Sequence, residues 1–291
     1  MESLAAEAIA NGSMVPSTIV ASDGFPLAAN RYLPGGQSEG VVLIAPGAWF
    51  RQCAYEQFAR YLARRGLEVV TWDWRGIGDS RYEAGKRDRR LSMRAWASRD
   101  FEAMLTWGST RAAHKPLLLV GHAFGGQVLG LASSAELVQR AVFVGAADVA
   151  HLPAGGVRRW ARRMVWHAGV PVLTRILGGL PLSLTSNCED LPEGVARDLA
   201  RWSRSSTYFG RWEGHSRLSI PILSYSFSDD RVAPPEAVEA LLRRYRQAKR
   251  QHLHLRPPPG ARRRDAHYRF FQEGVLPGLW ESAADFLLSR T

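Results

Sequence analysis

Pro116-Leu117-Leu118-Leu119-Val120-Gly121-His122-Ala123-Phe124-Gly125-Gly126 is the stretch on which the reading of this chain turns. Residues 117–120 form a short apolar run of the kind that builds a strand buried on both faces. The run enters a turn bounded by glycines, and residues 127–132 are apolar enough to continue it as a helix. A sharp strand-to-helix turn of pattern G-x-S-x-G is a nucleophile elbow, which lifts one side chain above the end of a sheet. Glycines flank such a turn because its backbone is strained and neighbouring backbones pass closely. Both glycines are present, at 121 and 125, but residue 123 is alanine where the pattern has serine. An ordinary tight turn between strand and helix is the plainer reading of two glycines; the strand before and the helix after favour the elbow. His122, inside the motif, reads as a structural residue.

Outward from this point, apolar runs and helical stretches alternate. Residues 17–21 and 27–33 read as a hairpin with Asp23-Gly24 near its turn. Residues 41–44, 67–72, 141–144 and 221–227 read as buried strands, and 252–256 as a further, alternating one. Helices are expected over 55–65, stopped by Gly66, and over 96–107, 236–245 and 275–288. This alternation predicts an α/β class: a mostly parallel central sheet with helices on both faces. Between about 151 and 217 it breaks down into prolines, Gly178-Gly179 and arginine-rich helical pieces carrying Trp160, Trp166, Trp202 and Trp212. An insertion of that kind reads as a helical cap. The expected organisation is an N-terminal extension over 1–16, a core over 17–150 and 218–291, and a cap over 151–217. Residues 256–264 (RPPPGARRR) read as a surface loop.

Apolar residues make up 46% of the 291 and charged residues 22%, a globular composition with enough apolar mass for a core that needs no covalent staples. Cys53 and Cys188 are too few for a disulfide framework. The opening MESLAAEAIANGSM is acidic where a secretory signal needs basic residues. No window approaches a membrane-spanning length of apolar residues. A soluble, cytoplasmic protein without a membrane span is expected. The net charge of +11 comes almost wholly from arginine, Lys86, Lys115 and Lys249 being the only lysines. An anionic partner is one reading of that charge. No nucleic-acid module accompanies it, so a basic, soluble surface is the simpler reading and no nucleic-acid partner is expected.

Three further motifs accompany the elbow. Trp72-Asp73-Trp74-Arg75-Gly76-Ile77-Gly78-Asp79-Ser80 carries the pattern D-x-R-G-x-G-x-S; Asp230-Arg231-Val232-Ala233-Pro234 carries D-x-x-x-P; and His267 precedes the aromatic cluster Tyr268-Arg269-Phe270-Phe271. In these motifs, over about residues 17–290, the chain resembles the α/β-hydrolase superfamily, and more narrowly the bacterial hydrolases of the serine-aminopeptidase and lysophospholipase-like group. The resemblance implies the α/β-hydrolase fold, Ala123 at the nucleophile position, Asp230 as the acid and His267 as the base, in the chain order expected for this fold. It implies that the loop Ala45-Pro46-Gly47-Ala48-Trp49 supplies one backbone N–H of an oxyanion hole, from Ala48 first and Trp49 second, and that Phe124 supplies the other. The Arg75 loop is expected to be a structural turn whose arginine pins neighbouring loops. Asp148 is an alternative acid, Asp229 a turn residue, and His252 and His254 packing or surface residues.

The acid partner of such a site holds the histidine tautomer, and the histidine deprotonates the nucleophile. Alanine at 123 has no proton to give, so the chain as written is expected to be inactive as a serine hydrolase. Two readings stand. One is an engineered serine-to-alanine change in an otherwise intact hydrolase or acyltransferase of a small ester, thioester or amide, which the retained acid, histidine and glycines favour. The other is a natural non-hydrolytic member: a lyase or isomerase led by His267, or a protein that only binds. No metal cluster and no dinucleotide fingerprint is visible, so no cofactor is expected. The expected partner is a small-molecule acyl substrate, with Trp49, Trp160, Trp166 and Trp202 as candidate substrate contacts, although large aromatics mostly serve burial. A homodimer is left open.

Overall fold

In the computed structural model the described residues are 13–81, 88, 90–148, 164, 169–182, 189–204, 214–257, 259, 266–276 and 278–289. Eight strands form one sheet: β1 (Ser13–Val20), β2 (Pro26–Leu33), β3 (Val41–Ala45), β4 (Glu68–Trp72), β5 (Leu117–His122), β6 (Val138–Val144), β9 (Ile222–Phe227) and β10 (Arg250–Leu255). Two short strands between them in sequence, β7 (Gly179–Leu180) and β8 (Leu191–Pro192), pair separately. The order across the sheet is β1-β2-β4-β3-β5-β6-β9-β10. β1 and β2 join it antiparallel, and every pairing from β4 to β10 is parallel. This is the mostly parallel α/β sheet expected from the alternation.

β3, β4 and β5 are buried along their whole length, as strands covered on both faces must be. Their side chains alternate between two cores. Leu43, Leu117, Leu119 and Phe143 face one, together with Met104 and Leu105 of helix Glu102–Ala112 and Val238 and Leu241 of helix Pro235–Arg244. Val42, Ile44, Leu118, Val120 and Val142 face the other, with Phe58 and Leu62 of helix Glu56–Arg64 and Ala283 and Leu287 of helix Leu279–Leu288. The period of two in the strands therefore divides one sheet between two helical layers.

Arg75 does what its loop suggested. Its guanidinium is fully buried and meets Asp100 at 2.6 Å and Asp23, in the β1–β2 turn, at 2.8 Å, while its carbonyl accepts from the indole of Trp96 at 3.0 Å. Three elements differ from expectation. β1, described from Ser13, reaches further back than the strand read over 17–21, into the stretch read as an extension, and Pro16 is accommodated in it because β1 lies at the sheet edge, where a missing N–H costs no ladder bond. The last helix begins at Leu279 rather than near 275, after Gly278 in a left-handed conformation. The segment read as one helix over 96–107 opens with the turn Met93–Ala95 and a wider, π-type stretch over Trp96–Phe101 before helix Glu102–Ala112.

Candidate active site

The register of β5 brings the ends of three strands together: Ala45 of β3 stands beside Gly121, and Val144 of β6 beside His122. Ala123 follows at φ +48° and ψ −111°, a region that a residue with a side chain occupies only under strain. It is held there by its N–H donating to the Val144 carbonyl at 2.9 Å and its carbonyl accepting from Gly126 at 3.1 Å. Helix Phe124–Gln127 starts at the next residue, so the Phe124 N–H is among the donors a helix leaves unpaired in its first turn. Gly125 is required by contact: a β-carbon there would lie 2.0 Å from the Ala45 carbonyl oxygen. A strained, glycine-packed turn from strand to helix is what the elbow motif demands.

The loop after β3 is a tight turn in which Phe50 N–H donates to the Gly47 carbonyl at 3.2 Å, so Ala48 and Trp49 are its two central residues. It is pinned from two sides. The Trp74 indole donates to the Pro46 carbonyl at 3.0 Å, and the Gly47 N–H donates to the Tyr55 hydroxyl at 2.9 Å. A β-carbon on Gly47 would sit 3.5 Å from the Ala123 methyl, which puts this loop directly against residue 123.

Asp230 and His267 meet, Nδ1 to Oδ2, at 2.7 Å, and both are buried. The other carboxylate oxygen of Asp230 accepts from Val232 N–H at 2.8 Å and Ala233 N–H at 3.2 Å. Burial pushes the Asp230 carboxyl up; the facing imidazole, its hydrogen bond and the two backbone donors outweigh burial and hold it below the ordinary aspartate value. Since the carboxylate can only accept, Nδ1 carries a proton, and in the neutral ring the lone pair is then on Nε2. His267 Nε2 is buried and has no hydrogen-bond partner among the described residues. The ring packs over Gly145, where a β-carbon would approach its Cε1 and Nδ1 to 3.1 Å.

The competing residues are engaged elsewhere. Asp148 is fully buried and ion-paired with Arg244 at 2.5 Å. Asp229 makes a two-pronged pair with Arg269 at 2.7 and 2.9 Å, which holds its carboxyl below the ordinary value. His252 and His254 both share the Ser226 hydroxyl at 2.8 Å on the outer strand. Among the described residues no group of three or more His, Cys, Asp and Glu side chains converges as metal ligands. No helix among them is long and apolar enough to cross a membrane.

Of the candidate aromatics, Trp202 is buried on helix Glu193–Arg204 with its ring 6.3 Å from that of Phe124, and Trp49 is half-buried on the turn beside Ala123. Trp160, Trp166 and Trp212 lie outside the described residues, as does Cys188. Residues 189–204 come back over the loop after β3, where Glu189 N–H donates to the Trp49 carbonyl at 3.0 Å.

Sequence reasoning missed Tyr55. Its hydroxyl lies 2.8 Å from His122 Nδ1, across 67 residues of chain, while His122 Nε2 lies 2.9 Å from the His267 carbonyl. No local pattern announces a contact of that span. Burial, and then the neighbouring His267 ring, hold His122 far below the usual histidine range, so it is neutral.

Comparison with known proteins follows the same lines. Residues 36–207 match the family model Hydrolase_4, described as serine aminopeptidase, S33. A soluble variant of monoglyceride lipase from Saccharomyces cerevisiae superposes with a TM-score of 0.67 at 15% identity, over 95% of this chain and 97% of that one. A thermostable carboxyl esterase from Bacillus coagulans gives 0.64 at 15% identity, over 95% and 99%. The thioesterase domain from the curacin biosynthetic pathway gives 0.54 at 17% identity, over 96% and 100%. No curated protein matches the chain by sequence.

Proposed function

The chain belongs to the S33 serine aminopeptidase family of α/β-hydrolases, and from that premise we propose that it is the framework of a serine hydrolase or acyltransferase of small esters, thioesters or amides, held in a form without a nucleophile by alanine at 123. The observation that carries the reading is the buried His267–Asp230 pair, 2.7 Å apart, whose Nε2 has no partner among the described residues; with it goes the strained elbow conformation of residue 123, in the chain order this fold requires.

With serine at 123, its Oγ attacks the acyl carbon and its proton passes to His267 Nε2. The negative charge that develops on the acyl oxygen is met by the N–H groups of Ala48 and Phe124. The imidazolium returns the proton to the leaving alcohol, thiol or amine, and water releases the acyl group by the same steps in reverse. Asp230 keeps the tautomer and stabilises the imidazolium. With alanine the first bond cannot form; loss of the nucleophile from a serine protease costs on the order of 10⁶ in kcat. Residues 151–217 act as the cap, with Trp202, packed against Phe124, and Trp49 as candidate contacts to the acyl group, and Trp160 and Trp166 as further candidates from the same insertion. The protein works in the cytoplasm on a diffusible substrate.

The test is the Ala123→Ser variant, treated with a fluorophosphonate and with short aryl esters. Labelling at residue 123 and turnover, both abolished by His267→Ala, are expected. A second reading rests on the unpartnered Nε2: with no serine hydroxyl at residue 123 to deprotonate, His267 can serve as a base in elimination or isomerisation. A serine variant that neither labels nor turns over, beside an alanine form that converts a substrate, moves the function there.

A further inference from the structure

One buried chain of hydrogen bonds joins the turn after β3, the end of β5 and the His267 loop. It runs from Gly47 N–H to the Tyr55 hydroxyl at 2.9 Å, from that hydroxyl to His122 Nδ1 at 2.8 Å, and from His122 Nε2 to the His267 carbonyl at 2.9 Å. We propose that Tyr55 and His122 are positioning residues, which hold the His267 loop and the Gly47–Ala48 turn at a fixed reach from residue 123. The proposal deepens the serine-hydrolase reading and rests on it.

The polarity of the chain is determined. A carbonyl oxygen only accepts, so His122 Nε2 carries the ring proton and Nδ1 is an acceptor. The Tyr55 hydroxyl therefore donates to Nδ1 and accepts from Gly47. Both side chains are wholly buried, so no solvent competes for these bonds. His122 is also the covalent neighbour of residue 123. The chain thus connects the nucleophile position to the backbone of the base on one side and to the oxyanion turn on the other.

Packing alone does not account for it. Phe271 stands 4.8 Å from the Tyr55 ring and 5.1 Å from the His122 ring, and Phe50 stands 4.8 Å from His122. Those contacts need rings, not the hydroxyl or the two nitrogens. A neutral residue 122 also suits the site, because its ring lies 4.9 Å from that of His267 and a charge there would oppose the imidazolium. Tyr55→Phe separates the roles, since it keeps the ring and removes the bond.

In the Ala123→Ser chain, a fluorophosphonate reads the geometry without regard to the natural substrate: Oγ bonds to phosphorus, fluoride leaves, the Oγ proton goes to His267, and the phosphonyl oxygen takes the oxyanion position. Tyr55→Phe and His122→Phe are each expected to slow labelling by about 10- to 100-fold, the cost of misplacing catalytic groups by an ångström. The double variant is expected to be no slower than the slower single one, because both break the same chain. His122→Gln, whose amide can donate to the His267 carbonyl and accept from Tyr55, is expected to recover most of the rate. On p-nitrophenyl acetate the loss falls in kcat, with KM unchanged. Labelling by Tyr55→Phe at the parent rate, or losses that multiply in the double variant, overturn the proposal.

A second arm needs no nucleophile. Imidazole NMR of the alanine chain is expected to show His122 neutral with its proton on Nε2, and faster exchange of the His267 Nδ1 proton after Tyr55→Phe. If these appear while the serine variant stays unlabelled, the positioning role stands and the hydrolase reading falls. If His122 carries its proton on Nδ1, or Tyr55→Phe leaves the His267 proton unchanged, the positioning role is wrong whatever the labelling shows.

Discussion

Gly125→Ala tests the elbow at its tightest contact. The added β-carbon would lie 2.0 Å from the Ala45 carbonyl oxygen, 2.5 Å from its carbon and 2.8 Å from its β-carbon. The first of these is about 1.4 Å short of an ordinary contact, and the atom in the way is backbone. Ala45 is the last residue of β3, buried and registered against Gly121, so no rotamer change relieves the clash. Overpacking of a core costs about 1–3 kcal/mol when side chains can give way; here the strand itself must move, and a loss of about 3 kcal/mol is expected. The displacement passes directly into Pro46-Gly47-Ala48, the turn assigned to the oxyanion. A shift of about an ångström there costs on the order of 100-fold in rate. Urea unfolding of Gly125→Ala against the parent measures the first effect, and fluorophosphonate labelling of Ala123→Ser with and without Gly125→Ala measures the second. Gly36→Ala, whose methyl would meet nothing within 4 Å, is the control. Gly125→Ala with stability and labelling both equal to that control would refute the close approach of elbow and β3 and the placement of the turn built on it.

Asp230→Asn in the Ala123→Ser chain is expected to lower kcat by about 10⁴ by releasing the His267 tautomer, with the fold retained in thermal melts. Arg75→Met leaves the buried Asp100 and the partly buried Asp23 without their shared cation and is expected to cost about 3–5 kcal/mol in urea unfolding; a loss below about 1 kcal/mol would contradict its pinning role. Acid should weaken the fold between about pH 6.5 and 5. Burial lowers His215 to about 4 and holds His122 well below the usual histidine range, so the unfolded chain takes up protons that the folded one refuses, at about 1.4 kcal/mol per pH unit for each group. Asp100, which burial raises to about 6, takes its proton in the folded state and opposes one of them. A net loss of about 2 kcal/mol by about pH 5, reduced by His122→Gln, is expected in urea titrations at the two pH values; stability that is flat or rising would refute it.

The elbow could be read because its requirements are local: an apolar strand, two glycines and a helix lie within a short stretch of chain, and the strain at Ala123 follows from their spacing. Asp230 and His267 could be proposed as a pair because each matches a motif of the family the chain resembles, in the chain order of the fold; the 2.7 Å contact between them is what the structure adds. The Arg75 loop could be recognised as a pin, but its partners could not be named, since Asp23 and Asp100 come from elements that only the packed structure brings together. Tyr55 is the clearest omission. It opens a helix whose apolar face explains it as core, and its second role exists only because β5 delivers His122 to the same place. β1 also runs further toward the N-terminus than the strand read over 17–21, through Pro16, which is tolerated there because that strand is at the edge.

The insertion is harder to read because its two described helices meet the core differently. Helix Glu193–Arg204 is fastened by close packing: a β-carbon on Gly194 would lie 2.2 Å from the Leu91 carbonyl oxygen, and Val195, Ala196, Leu199 and Trp202 are buried. The ion pairs beside it, Glu189 with Arg81 and Arg51, are partly exposed and contribute at most about 1 kcal/mol each. Helix Val170–Leu177 instead leaves Val172 and Ile176 more than half exposed. An apolar surface on the outer helix and a buried indole on the inner one both agree with an apolar pattern in the sequence. The apolar pattern therefore does not separate residues that fasten the insertion, such as Trp202, from residues left on its surface, such as Ile176; burial against the core does.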